Sequence, residues 1–264
     1  MRLATWNVNS LKARLDRVLA WAEVVEPDIL CMQETKLADA AMPDLAFRAL
    51  GYEVAHHGLG QWNGVAIASK VGVADIQAGL PTTDGWTDDG GRFLAATCGG
   101  IRVASIYVPN GREVGSEFYD AKLEWLDRLN EWLLSGDPAA PMAVCGDYNV
   151  APADEDVYDP AAVHGATHVS EPERAAVARM REWGLVDVVR RFHPEPGFFT
   201  WWDYRAGNFH KNLGMRIDHV YVTEPLAARA IGAERDRDAR KPSTYPGIPS
   251  DHAPLVVDFD DLPQ

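Results

Sequence analysis

The chain alternates short apolar runs with amphipathic segments, a pattern typical of strands that alternate with helices. An apolar run near the N-terminus, RLATWNV, predicts a strand, and apolar residues then recur at helical spacing from Leu11 to Val25. Ser10 precedes this segment as its predicted N-cap, and Pro27 follows its end. The next run, DILCMQE, is typical of a buried strand.

Later segments continue the alternation. Apolar runs predict further strands at 64–69, 92–98, 101–108, 141–147, about 198–202, 217–222 and 254–259. An amphipathic helix is predicted over 117–134, and a capping box of Ser170 and Glu173 predicts another helix that ends near Gly184. Several neighbouring strands are close enough to form hairpins, so we expect an α/β fold with mixed sheets covered by helices.

No low-complexity linker divides the sequence. The weak breaks at 79–91, 151–162 and 234–241 are rich in Gly, Pro or charged residues, and we interpret all three as surface loops. A length of 264 residues with 47% hydrophobic and 24% charged residues is an ordinary globular balance. We therefore expect a single domain over 1–264.

Cysteine usage and hydropathy limit the protein class. Cys31, Cys98 and Cys145 lie in or at the end of apolar runs and show no CxxC spacing, which predicts buried thiols and neither a zinc site nor a disulfide framework. The N-terminus has no long apolar signal region, and no apolar stretch approaches the roughly 20 residues that span a bilayer. We expect a cytoplasmic protein without a membrane partner.

Acidic and amide side chains recur at the ends of the predicted strands. Any one of them is more often a cap or turn residue, since Asp and Asn favour such positions. Their repetition without zinc-type spacing instead favours a site for a hard cation such as Mg²⁺ or Mn²⁺, which prefers oxygen ligands. The residues are Asn7, Glu34, Asp147, Asn149, Asp218, Asp251 and, beside the last, His252.

Seven motifs make the sequence similar to a known family. They are WNVNSL, QETK, YVPNG, GDYNVAP, WWDYR, GMRIDHV and PSDHAPL, in this order from residue 6 to 255. Together they resemble the exonuclease III family of AP endonucleases, within the wider endonuclease/exonuclease/phosphatase superfamily. GDxN and SDH indicate only phosphoester hydrolysis, whereas QETK, WWDYR and GMRID narrow the resemblance to the DNA-repair branch.

The resemblance implies a fold and a set of activities. The implied fold is a four-layer α/β sandwich, in which two mixed sheets pack face to face between outer helices. The implied activities are incision of duplex DNA 5′ to abasic sites, 3′→5′ exonuclease action and removal of blocked 3′ ends. The implied substrate is double-stranded DNA with abasic sites or 3′ ends, and a monomer is expected.

The resemblance also implies a metal site that uses Mg²⁺, with Mn²⁺ as a substitute. Glu34 is the implied principal ligand, with Asn7 nearby and Asp251 on the far side. A bound metal ion would neutralise charge on the scissile phosphate and on the leaving oxygen. If a second ion binds, Asp147 and Asn149 would be its ligands and their other roles would change.

Five residues have implied catalytic roles. Asp147 would orient or deprotonate the attacking water, and Asn149 would donate a hydrogen bond to the phosphate. His252 would contact a phosphate oxygen as a cation, with Asp218 accepting from its other ring nitrogen. Tyr107 matches the active-site tyrosine of the family, although an aromatic strand residue is the alternative interpretation.

Several residues beside the motifs are candidates for substrate contacts. Trp201 is a candidate wall for an abasic-sugar pocket, with core packing an equal alternative. Candidates for phosphate contacts lie beside the motif loops, but each cation could equally be a solvated surface charge, and for Arg216 a structural ion pair is at least as good an interpretation. These candidates are Lys36, Asn110, Arg112, Arg205, Lys211 and Arg216. Asn110 replaces the Gln of some relatives, which leaves the balance between exonuclease and endonuclease open.

A formal net charge of −14 opposes DNA binding, because DNA binders usually present a basic face to the phosphates. We expect either that Lys and Arg gather at the mouth of the site or that metal-binding carboxylates account for part of the excess. Two alternatives stay open. One is a phosphoesterase of the same superfamily acting on inositol phosphates, lipids or RNA, and the other is an inactive DNA-binding member.

Overall fold

A computed structural model describes residues 1–81 and 84–260 of the chain. The first sheet consists of β1 (Arg2–Asn7), β2 (Ile29–Gln33), β3 (Glu53–His57), β4 (Val65–Ser69), β11 (Ala230–Arg235) and β12 (Leu255–Phe259). Its strand order is β11-β12-β1-β2-β4-β3. The sheet is mixed, because β1 and β2 are parallel while β1 pairs with β12 in the antiparallel sense.

The second sheet repeats this arrangement. It consists of β5 (Ala74–Ala78), β6 (Phe93–Cys98), β7 (Ile101–Tyr107), β8 (Met142–Asp147), β9 (Leu185–Asp187) and β10 (Asp218–Thr223). Its strand order is β5-β6-β7-β8-β10-β9. Here β7 and β8 are parallel, whereas β8 and β10 are antiparallel.

Helices cover the outer faces of both sheets. The longer ones are α1 (Leu11–Val25), α2 (Asp44–Ala49), α3 (Glu117–Leu134) and α5 (Glu171–Trp183), and the short ones are α4 (Pro160–Val163), α6 (Val188–Phe192), α7 (Asn208–Lys211) and α8 (Glu224–Ala227). Trp6, Trp21 and Phe47 are buried between the first sheet and its helices. Leu126 and Val177 are buried between the second sheet, α3 and α5.

A third apolar cluster lies between the sheets and completes four layers. Leu3, Ile29 and Val257 of the first sheet belong to it together with Val103 and Val220 of the second. The predicted four-layer α/β sandwich with two mixed sheets is therefore confirmed. Cys31, Cys98 and Cys145 are buried free thiols, as predicted. Within the described residues, no helix is both long and apolar enough to cross a bilayer.

Several predicted elements need correction. Residues 198–202 do not form a strand, because Trp201 alone pairs, with Met215 on one side and His252 on the other. The predicted loop 234–241 contains the end of β11 and a 3₁₀ turn at Arg237–Arg240. The predicted loop 151–162 contains a 3₁₀ turn at Asp154–Asp156 and the start of α4.

The sequence analysis does not predict strands β3, β5, β9 and β11. β9 has three residues, and β3 and β11 carry no alternating apolar pattern, whereas β5 does alternate (ADIQA) but is largely exposed. The predicted loop 79–91 includes residues 82 and 83, and the predicted domain also includes 261–264. These residues lie outside the described part of the chain.

The start of α1 also differs from the prediction. The Ser10 side chain makes no capping hydrogen bond. Instead, the backbone N–H groups of Ser10 and Leu11 donate to the carbonyl oxygens of Glu34 (2.7 Å) and Thr35 (3.0 Å). Because the first backbone N–H groups of a helix lack partners within it, the loop after β2 satisfies two donors at the start of α1. Helix α1 thereby holds the Glu34 loop.

A buried ion-pair group lies beneath the second sheet. Arg216 is 2% exposed, and its guanidinium contacts Asp156 (2.7 Å) and Asp187 (2.8 Å). Its Nη1 also donates to Nδ1 of His219 (3.0 Å). Arg216 is therefore a structural ion-pair partner, and its candidate role as a phosphate contact is wrong.

Replacement of Arg216 by Met should be strongly destabilising, because it leaves two buried carboxylates short of their partner. We expect a loss of about 3–5 kcal/mol in the free energy of unfolding, measured by urea denaturation. Arg205→Met is the matched control, since Arg205 pairs with Asp203 at the surface, and it should leave the urea midpoint unchanged. Equal midpoints for the two variants would contradict this account of Arg216.

Candidate active site

Strand ends from both sheets meet at one edge of the sandwich. Parallel strands end on the same side, so Asn7 at the end of β1 lies beside Gln33 at the end of β2. In the second sheet Tyr107 lies opposite Asp147, and Asp147 also pairs with Asp218 at the start of the antiparallel β10. The topology therefore gathers the polar residues at strand ends into one place.

Asn7 joins the two sheets at this edge. Its Nδ2 donates to Oε1 of Glu34 (2.9 Å) and to Oδ2 of Asp147 (2.8 Å). Its Oδ1 accepts from the backbone N–H of Asn9 (3.0 Å). In this orientation Asn7 presents its amide nitrogen to the carboxylates, so that it positions both of them.

Glu34 is held from several directions. Its backbone has a φ of 52°, in the left-handed region that non-glycine residues rarely adopt. Lys36 forms an ion pair with Oε2 of Glu34 (2.9 Å) and also donates to Oδ1 of Asn9 (2.7 Å). The Tyr107 hydroxyl contacts the same carboxylate. The pKa of Tyr107 lies well above its ordinary value because of burial and the charges of Glu34 and Asp147.

His252 lies between two buried carboxylates. Its Nδ1 is 2.8 Å from Oδ2 of Asp218, and its Nε2 is 3.8 Å from Oδ2 of Asp147. Burial lowers the pKa of His252, but the charge and hydrogen bond of Asp218 and the charges of Asp147 and Asp251 outweigh it and raise the pKa to about 10. The imidazole is therefore a cation at neutral pH.

Asp147 is a buried carboxylate at the centre of the site. Burial is the largest cause that raises its pKa, to about 7; the charges of Asp218 and Glu34 add to it, while His252 and the Asn7 amide act in the opposite direction. Its Oδ1 accepts from the backbone N–H of Asn149 (2.9 Å). A carboxylate with this pKa suits either a nearby cation or acceptance of a proton near neutral pH.

Two amides form the adjoining wall. Asn110 Nδ2 donates to Oδ1 of Asn149 (3.2 Å), and Asn149 Nδ2 donates to the carbonyl oxygen of Val108 (3.0 Å). An amide nitrogen carries two N–H groups, so one N–H of Asn149 is left for a ligand.

Trp201 forms the opposite wall. It is half-buried, and its indole N–H donates to Oδ2 of Asp251 (3.0 Å), whose Oδ1 accepts from Asn9 Nδ2 (2.9 Å). Trp202 beside it is fully buried and packs edge-on against Phe209. One tryptophan therefore lines the cavity and the other packs into the core.

These walls enclose a cavity of about 180 Å³. Eight of the residues that line it were candidates from the sequence: Glu34, Tyr107, Asn110, Asp147, Asn149, Trp201, Asp251 and His252. Asp218 lies behind His252. Sequence reasoning missed His168 and Ile217, which also line the cavity. Ile217 lies inside a recognised motif, whereas no sequence pattern indicated His168.

Unlike the candidate catalytic residues, the candidate DNA-binding cations do not gather at the cavity. Arg112 and Lys211 are exposed but do not line the cavity; Arg112 stacks on Phe118, and Lys211 ends α7. Arg205 is exposed and paired with Asp203. Lys36 adjoins the cavity through Glu34, and a cation that was not predicted, Arg92, lies over the Tyr107 ring.

The side chains at the centre can hold a metal ion. Donor atoms of Glu34, Asp147 and His252 lie within 4.8 Å of one another. His252 is held as a cation by Asp218, which disfavours metal binding through its ring and leaves the two carboxylates as the donors. Glu34 and Asp147 present carboxylate oxygens to the same cavity, and oxygen donors of this kind fit a divalent cation such as Mg²⁺ or Mn²⁺.

Comparison with known proteins agrees with this geometry. Residues 4–252 match the Endonuclease/Exonuclease/phosphatase family. The chain belongs to this family. It is 33% identical to exodeoxyribonuclease III of Haemophilus influenzae over 98% of this chain and 100% of that protein. The predicted resemblance to exonuclease III enzymes is thus confirmed.

Solved structures of family members are also similar. An AP endonuclease from Archaeoglobus fulgidus superposes with a TM-score of 0.92 at 39% identity, over 99% of this chain and 100% of that one. The 3′ phosphatase NExo from Neisseria, solved with a product DNA hairpin, superposes with a TM-score of 0.93 at 37% identity, over 98% and 99% of the two chains. These family members are named as DNA-processing phosphoesterases.

Glu34→Gln should weaken metal binding, because it halves the carboxylate charge at the centre while it keeps the shape of the side chain. We expect Mn²⁺ affinity, measured by calorimetry, to fall at least about tenfold, or 1.4 kcal/mol. Glu53→Gln on the exposed edge of β3 is the matched control and should bind Mn²⁺ as the wild type does. Unchanged affinity in Glu34→Gln would remove Glu34 from the metal site.

Proposed function

We propose that this protein is a DNA-repair nuclease that uses Mg²⁺ to hydrolyse phosphodiester bonds in duplex DNA. Its proposed activities are incision 5′ to abasic sites, 3′→5′ exonuclease action and removal of blocked 3′ ends. One observation carries the proposal: a cationic imidazole, held by Asp218, faces the carboxylates of Asp147 and Glu34 inside one small cavity. That arrangement combines a hydrogen-bond donor for an anionic phosphate with groups that activate water.

Asp147 and His252 divide the chemistry between them. Asp147 accepts hydrogen bonds at both oxygens, so that its orientation is fixed for the proposed role of orienting or deprotonating the attacking water. His252 supplies an N–H from Nε2 to a phosphate oxygen, where negative charge grows in the transition state. The remaining N–H of Asn149 would donate to the same phosphate.

Glu34 and Asp147 would hold the metal ion. When bound, Mg²⁺ supplies neutralisation of charge on the phosphate and stabilisation of the leaving 3′ oxygen. Asn7 and Lys36 keep the Glu34 carboxylate aimed at the cavity. Asp251 lies on the Trp201 wall and would act there rather than beside Glu34.

The size of the cavity supports a substrate of which only a small part enters the cavity. Its volume of about 180 Å³ is smaller than the roughly 300–1,000 Å³ of sites that enclose a drug-sized ligand. A phosphate and an attached sugar without its base are therefore the proposed occupants, with Trp201 and Ile217 against the sugar. The rest of the duplex would lie outside, against the exposed candidates Arg112 and Lys211 with Asn110 at the rim.

A set of labelled duplexes tests the activity. We expect the purified protein to incise an internal abasic-site duplex, to shorten a recessed 3′ end and to remove a 3′-phosphate in Mg²⁺, since these are the three proposed activities. EDTA should abolish each reaction, and excess Mg²⁺ or Mn²⁺ should restore it. Product sizing on denaturing gels measures the outcome. Full cleavage in EDTA, or no cleavage of any of the three substrates, would overturn the proposal.

His252 and Asp218 should act as a unit. We expect His252→Ala to lower kcat about 10²–10³-fold with a much smaller effect on DNA affinity, because one preorganised donor to the transition state is removed. Asp218→Ala should lose a large part of the same factor. The double variant should be little worse than His252→Ala, since residues that act together are not additive.

Steady-state kinetics on an abasic duplex measure this cycle. His57→Ala on β3, away from the cavity, is the control and should retain kcat. Losses that multiply in the double variant would show that the two residues act independently. A nearly normal kcat in His252→Ala would assign that residue a structural role only.

A further inference from the structure

A fully buried lysine lies directly behind the wall of the cavity. Lys122 on α3 is 0% exposed, and its ammonium pairs with the equally buried carboxylate of Glu173 on α5. Lysine is almost never fully buried unless it is paired, because an isolated charge in the interior is costly. The hydrogen bonds of Lys122 and Glu173 to neighbouring residues therefore indicate what this buried pair does.

The ammonium reaches two residues that line the cavity. Lys122 Nζ donates to the carbonyl oxygen of Asn149 at 2.7 Å and to that of Asn110 at 3.3 Å. An ammonium has three N–H groups, and Glu173 takes the third. Each donor is thus used, and two of the three hold the backbone of the amides that meet at the phosphate position.

Glu173 extends the same network to the loop that carries His168. Its Oε1 accepts from the backbone N–H of His168 (2.9 Å), and its Oε2 accepts from the backbone N–H of Ser170 (3.1 Å). His168 in turn contacts the Asn149 carbonyl oxygen through Nδ1 (2.5 Å). Burial raises the pKa of Glu173, but the Lys122 ammonium and these donors outweigh it and keep the pKa below its ordinary value.

The segments that this pair holds have unfavourable backbone conformations. Asn149, His168 and Arg112 have φ angles of 50°, 77° and 54°, all in the left-handed region. Such conformations persist in non-glycine residues only where the surroundings fix them. Gly111 lies between Asn110 and Arg112, and a Cβ there would be 2.8 Å from Cδ of Lys122, so the loop passes directly over the lysine stem.

We infer that Lys122, held by Glu173, is a positioning residue that sets the Asn110 and Asn149 amides at the scissile phosphate. The inference rests on the proposed function for the identity of the substrate. Lys122 does not touch the cavity itself, so it acts through the two backbone carbonyl oxygens. Its loss should therefore leave binding of the DNA outside the cavity intact while it misplaces a donor to the transition state.

Lys122→Met tests this inference, because Met keeps the length of the stem and removes the ammonium. We expect kcat on the cleaved duplex to fall about 10²-fold, the cost of displacing an aligned group by about 1 Å, while KM changes less than about threefold. The double variant Lys122→Met with Glu173→Gln removes the unpaired carboxylate as well. It should regain urea stability relative to Lys122→Met but keep the low kcat.

Leu133→Ala separates positioning from stability. Leu133 lies in the core at the far end of the same helix and does not line the cavity, so this variant should lose stability and keep kcat. If the double variant regains both stability and kcat, or if Lys122→Met loses no more kcat than Leu133→Ala, Lys122 is a stability element and the inference is wrong. Wild-type inactivity on every DNA substrate would instead refute the proposed function, and the variants would then be compared on whichever phosphodiester the wild type cleaves.

Discussion

Mutual repulsion among buried carboxylates is the constraint on which the site depends. Glu34, Asp147 and Asp251 line one cavity, and Asp218 lies behind His252. Asp147 and Asp218 belong to the second sheet, whereas Glu34 directly follows β2 of the first. Asn7 is the group that makes their approach possible, since a single amide nitrogen donates to Glu34 and Asp147 together. Burial of like charges raises the pKa of one carboxylate unless a cation joins them. The packing of the two sheets therefore brings together oxygen donors that could hold a cation, and the cationic His252 offsets part of the same negative charge.

Much of this arrangement follows from the sequence, and the remainder depends on long-range packing. Glu34 and Asp147 come at the ends of apolar runs, so their place at strand ends could be predicted. The contact between Asn7 and Asp147 joins residues 140 positions apart and depends on how two sheets pack, which no local pattern contains. His168 could not be predicted because it lies in an irregular segment, where no periodic pattern of apolar residues shows which way a side chain points. Its left-handed backbone conformation is not indicated by the sequence either. Residues 198–202 were wrongly predicted as a strand because an apolar aromatic run has the same pattern whether it forms a strand or makes only isolated bridges, as Trp201 does with Met215 and His252.

Glu173 shows how one local signal can conceal a second role. The spacing of Ser170 and Glu173 predicts a capping box, and the structure has the Glu173 half of it: Oε2 of Glu173 accepts from the backbone N–H of Ser170 (3.1 Å), while the Ser170 side chain makes no capping hydrogen bond. The same carboxylate also accepts from Lys122, a polar residue within an amphipathic helix whose burial the helical pattern does not indicate. A capping carboxylate that also pairs with a buried cation orders the start of α5 and the wall of the cavity at once. Secondary structure and site geometry are therefore coupled at this residue.

With a net charge of −14, the protein has few cations to offer to DNA, and several of them are paired with carboxylates. Lys122 and Arg216 are buried against carboxylates, and Lys36 is paired beside the cavity, so none of the three is a free surface charge. Arg112 and Lys211 are exposed but do not line the cavity, so a phosphate backbone would meet them outside it. Because each phosphate contact releases a counterion, a small number of contacts gives weak binding with a shallow dependence on salt. Under the proposed function, recognition of DNA would rely on what enters the cavity, where His252 and the proposed metal ion would concentrate positive charge, rather than on a broad basic face.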